Sequence, residues 1–136
     1  MRPKIAESQG VLKRALIGNA MFSGLSGTAI LLANRWLVKF LGLPDKVSLA
    51  ILGVSLLVYA AVLWFNARRP KLRIIDAWVA VVMDAVWVLG SYILIFVIPF
   101  SLAGKWVVAR VAELVLAFAV CQWLGIRRIR KSEQYA

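Results

Sequence analysis

Apolar residues run in four long stretches, roughly residues 15–33, 47–66, 76–99 and 105–126, and most of the charge lies between them. Each stretch is about 20 residues, enough at ~1.5 Å rise per residue to cross a hydrocarbon layer of ~30 Å. A water-soluble helix or strand of that length keeps polar positions on its solvent side. Residues 51–65 and 86–98 are instead apolar on every face. The chain therefore reads as an all-α membrane protein. Short connections make consecutive spans antiparallel, so the expected fold is a four-helix transmembrane bundle in up-down order.

The first two stretches are joined differently from the others. Trp36, Leu37, Phe40 and Leu41 recur at helical spacing, Arg35 and Lys39 lie opposite, and Gly42-Leu43-Pro44 stops the pattern. This predicts a short interfacial helix near residues 35–42. Residues 1–14 read as a basic, partly disordered arm on the membrane surface, and 127–136 as a basic tail. A single four-span domain, residues 15–126, separates them.

Composition supports lipid as the solvent. Hydrophobic residues make up 62% of the 136-residue chain, one bundle's worth, and mean hydropathy is +0.84. A net charge of +11 would suggest nucleic acid in a soluble protein. Here the basic residues flank apolar spans and form no continuous stripe, so the expected partners are anionic lipid headgroups and no nucleic acid.

Their distribution also sets an orientation. Arg2, Lys4, Lys13 and Arg14 precede the first span, Arg68, Arg69, Lys71 and Arg73 fill the middle connection, and Arg127, Arg128, Arg130 and Lys131 follow the last span. The remaining connections hold Arg35, Lys39 and Lys46 with Asp45, and Lys105 alone. Both termini and the middle connection are expected in the cytoplasm, with a bacterial inner membrane as the location. The first stretch carries Asn19, Ser23, Ser26 and Thr28 and no small-x-small cleavage pattern, so it is expected to be a retained span.

The halves resemble each other. Leu57–Arg69 aligns without gaps on Leu116–Arg128, sharing Leu, Ala, Trp and an Arg pair, with Tyr59 opposite Phe118. In the odd-numbered spans Asn19 matches Asp84, Phe22 matches Trp87, and Ser26 matches Ser91. A tandem duplication of two-helix halves would produce this, with a pseudo-twofold axis along the membrane normal. Recurrence of Trp and Arg at membrane edges would produce part of it without duplication.

Few polar groups lie inside the spans, and each needs a reason. An ionisable residue there costs roughly 2.5–3.5 kcal/mol on insertion scales and should face protein or water. Asp84 is the sharpest case, about 12 Å into its span at ~1.5 Å per residue from Asp76. Asn19 and Ser23 lie at comparable depth on the first span, and Ser91 and Tyr92 continue the Asp84 face. These residues are candidates for a ligand or proton site; the plainer reading is an interhelical hydrogen bond. Arg110 and Glu113, three apart on the fourth span, either neutralise each other near the outer interface or form the mouth of the same site. Ala20, Gly24 and Thr28, with Asn19, Ser23 and Gly27, give the first span two small-residue faces for close packing.

Catalytic chemistry finds no support. There is no histidine, Cys121 stands alone, the serines lack a base, and metal ligands are too few, so no cofactor, metal or enzyme activity is expected. The expected function is ligand binding or transport around Asp84. One four-span chain is a thin wall for a pathway, so a homo-oligomer is the natural assembly. The alternative is an accessory subunit of a larger membrane complex, docked through the first span.

Overall fold

The computed structural model describes residues 3–134 and is built of five helices. They are α1 (Pro3–Leu32), α2 (Asn34–Leu41), α3 (Val47–Ala67), α4 (Ile74–Val97) and α5 (Leu102–Gln134). Four are long and apolar enough to span a bilayer: Gln9–Leu32, Val47–Ala67, Ile74–Val97 and Leu102–Lys131. The chain is an all-α, four-span integral membrane protein. Its apolar outer faces, such as Ile51, Val58 and Phe65 of α3 and Val86 and Ile93 of α4, are exposed for lipid.

The basic segments at both ends contribute helix, where the sequence predicts a partly disordered arm and no element for the tail. Described residues of the arm belong to α1, and the tail to Gln134 belongs to α5. The reason is packing: Leu12, Ile126 and Ile129 are buried, and Gly125 lets the backbone of Leu12 approach so closely that a Cβ there would stand 3.3 Å from Leu12 Cα. Both helices thus continue beyond the hydrocarbon stretch because each covers the other.

The expected interfacial helix is α2, and its ends show why it stops. Gly42 adopts φ 72°, its N–H donates to Lys39 O, and the Leu43 N–H donates to Val38 O, closing the last turn. Trp36 and Phe40 stack on each other at 4.9 Å, and Leu41 is buried. Ser101 fastens the end of α2 to the α4–α5 connection. Its hydroxyl donates to Phe40 O at 2.6 Å, and its N–H donates to Leu41 O at 2.9 Å. The same hydroxyl accepts from the Gly104 N–H at 3.0 Å, capping α5.

Asp45 caps α3. The Ser48 N–H donates to its carboxylate at 2.8 Å, which holds the Asp45 carboxyl below its ordinary value of 3.8. A lowered folded value stabilises the charged form, so the contribution is complete at neutral pH. It is lost as pH falls through that lowered value. Asp45→Ala is therefore expected to speed amide hydrogen exchange at Ser48 at neutral pH, with the difference vanishing in strong acid. An unchanged rate at neutral pH would remove the cap from this account.

The spans run up and down in order, but consecutive spans do not all pack. α1 lies along α3, α4 lies along α5, and α1 and α5 join the two pairs, whereas α3 and α4 scarcely meet. The small-residue stripe of α1 is used within the chain. A Cβ on Gly27 would stand 2.8 Å from Gly53 O of α3, and one on Gly24 would touch Ala60. The tightly packed apolar core gathers at the end holding both termini: Leu12, Leu16 and Ala20 of α1, Leu63 and Ala67 of α3, Ala77 and Ala80 of α4, Ile126 and Ile129 of α5.

Candidate functional site

The polar side chains of three spans converge just above that core. Asp84 is buried on α4, and each carboxylate oxygen accepts one hydrogen bond: Oδ2 from Asn19 Nδ2 of α1 at 2.7 Å, Oδ1 from the Tyr59 hydroxyl of α3 at 2.9 Å. Asn19 and Ser23 are also buried, and the Ser23 hydroxyl approaches Asn19 Oδ1 at 3.4 Å. One turn of helix separates Asn19 from Ser23, which places both on the same face. Among the described residues, Asp84 forms no ion pair.

Above Asp84, toward α2, the helices line a partly open cavity of about 300 Å³. Asn19, Tyr59, Asp84 and Val115 are its residues nearest the termini end, and Leu37 and Leu41 of α2 lie at the opposite end. Between them the wall is apolar and aromatic: Phe22, Ile30, Leu52, Leu56, Trp87 and Val111, with Ser91 contributing from α4. The Ser91 hydroxyl is satisfied by Trp87 O at 2.8 Å. The Trp87 indole N–H is buried and has no protein acceptor.

Of the residues singled out in the sequence, Asp84, Asn19, Ser23 and Ser91 line this cavity. Tyr92, Arg110 and Glu113 do not. Tyr92 is 40% exposed on the outside of α4. Arg110 and Glu113 form an exposed 2.9 Å pair along α5, with Arg110 also over the Trp106 ring.

Two residues belong to the site that sequence reasoning passed over. Tyr59 supplies the second donor to Asp84 and also approaches Ala80 O at 3.3 Å, so one side chain bridges the space between α3 and α4. Gln122 of α5 is completely buried, and its amide approaches the Asp84 carboxylate without closing a direct hydrogen bond. A glutamine inside an apolar span carries the same cost as the polar groups that were noticed.

The half-repeat has structural counterparts. Trp64 and Trp123, which correspond, each carry an arginine four residues on over the ring, Arg68 at 5.4 Å and Arg127 at 5.2 Å. Asn19 and Asp84 also correspond, and they meet each other. The symmetry is broken where α1 packs on α5 while α4 leaves α3. Gly18 and Gly125 admit Phe118 and Leu12 on the closed side. The corresponding positions carry the larger residues Met83 and Asn66. Family models, characterised proteins and solved structures contain no match to this chain.

Proposed function

We propose that the protein binds a small ligand in the bilayer through the Asp84 cavity and serves as a transporter or carrier of it. The observation that carries this reading is a carboxylate without a basic partner facing an apolar cavity. Burying such a charge costs several kcal/mol unless something compensates it, and two neutral hydrogen bonds compensate only in part. The packing is also one-sided: a cavity toward α2, a close-packed core toward the termini. A binding site near mid-membrane that is sealed on one side is what alternating access requires at one stage of its cycle.

In this reading the termini face the cytoplasm of a bacterial inner membrane, because the described basic residues concentrate at the core end. Cysteines introduced at Gly10 and at Lys46 should react with a membrane-impermeant thiol reagent from opposite sides of the membrane. Labelling from the same side would overturn the orientation.

The test of the site is native mass spectrometry of protein extracted under gentle conditions. Wild-type protein should carry a small-molecule adduct that Asp84→Asn lacks while still folding. Equal adducts on both proteins, or none on either, would defeat the binding role.

A further inference from the structure

Resting on the binding role just proposed, the chemistry of the cavity narrows what it accepts. Asp84 has spare capacity: a carboxylate offers about four lone-pair sites, Asn19 and Tyr59 occupy two, and Gln122 approaches from outside the cavity without closing a third bond. Asp84 lines a space bordered by the rings of Phe22, Tyr59 and Trp87. Aromatic faces favour a cation, and a carboxylate supplies its counter-charge. None of the described lining residues is Lys or Arg, so nothing there would neutralise an anion.

Size and shape add to this. A cavity of ~150 Å³ holds benzene, so the ≈ 300 Å³ here suits a body of roughly a dozen non-hydrogen atoms. A neutral apolar molecule would leave the carboxylate unmatched. A phospholipid head would bring a phosphate beside its ammonium into a wall with no basic residue.

We propose that the cavity takes a small amphipathic amine, its ammonium on Asp84 and its apolar body along Leu52, Leu56 and Val111 toward α2. The space between α3 and α4, bridged by Tyr59, gives such a molecule a route from the bilayer, where amphipathic amines concentrate.

Three probes of matched length separate the possibilities: 4-phenylbutylammonium, 4-phenylbutanol and 4-phenylbutyrate. Binding to the full chain in phosphatidylcholine nanodiscs is measured by titration calorimetry, with empty nanodiscs as the reference for partitioning. The ammonium should bind at least tenfold more tightly than the alcohol and the carboxylate least of all. Asp84→Asn should bring the ammonium down to the level of the alcohol. Equal affinity of ammonium and alcohol in the wild-type protein would overturn the amine class while leaving a cavity that binds. Preference for the carboxylate would overturn the proposal outright. Binding of no probe above the empty nanodiscs would remove both the amine class and the binding role. If Asp84→Asn fails to fold, Val111→Trp, which fills the cavity from α5, provides the second arm. Retained ammonium binding in that variant would place the amine elsewhere and refute the assignment.

Discussion

Gly27→Ala is expected to destabilise the protein by about 1–3 kcal/mol, the usual cost of forcing extra volume into a packed interface. The added methyl would stand 2.8 Å from Gly53 O, a backbone atom of α3 that no rotamer change can move aside. α1 and α3 must separate to admit it, and with them the close contacts that unite the first half. The reciprocal change, Gly53→Ala, meets Leu31 Cγ at 2.9 Å, a side-chain atom with some room to adjust, and should cost less. Gly90→Ala is the control, because nothing lies within 4 Å of a Cβ there. Its effect should be confined to helix propensity, a gain of roughly 0.5–1 kcal/mol. Reversible unfolding in mixed micelles would rank the three. Equal stabilities for Gly27→Ala and Gly90→Ala would mean that α1 and α3 are not held at this distance.

Asp84→Ala should cost about 2–4 kcal/mol for a different reason. Interhelical hydrogen bonds in membranes average about 0.6 kcal/mol, since the unfolded chain in lipid also finds partners. Two lost bonds therefore account for the smaller part. The larger part comes from the Asn19 amide, left as a buried donor with no acceptor at about 1–3 kcal/mol for an orphaned group, whereas the Tyr59 hydroxyl keeps Ala80 O within 3.3 Å. Replacing all three together, Asn19→Leu, Tyr59→Phe and Asp84→Leu, removes the orphan along with the bonds and should recover most of the loss. If the triple variant is less stable than Asp84→Ala alone, the network holds the helices by its bonds and the orphan argument is wrong. Asp84→Asn should be milder than either, because its carbonyl still accepts one donor while Asn19 can turn its own oxygen toward the new amide. That mildness makes it the variant for binding measurements.

The sequence showed the spans and the buried acid through the same physical cost. Lipid accepts no exposed polar backbone and few charged side chains, so long apolar runs had to be helices and Asp84 had to face inward. Asn19 and Ser23 could be placed beside it by depth alone. Arg110 and Glu113 could not be placed, because a pair at i,i+3 satisfies itself on any face of a helix. Tyr59 escaped notice for a related reason: an aromatic residue with one hydroxyl fits an apolar span without evident cost. Its role appears only when α4 stands opposite.

By itself the sequence determined four crossings, a short helix near 35–42 and the presence of an acid that must be hidden, because length, periodicity and transfer cost are local properties of a chain. The tertiary structure alone decided which spans touch. Glycines at 18, 27, 53 and 125 let α1 close on α3 and α5, while α3 and α4 remained apart with Tyr59 reaching across. Close approach depends on what each small residue meets on its neighbour, and that pairing is set by the whole fold. It is also what leaves the cavity beside Asp84.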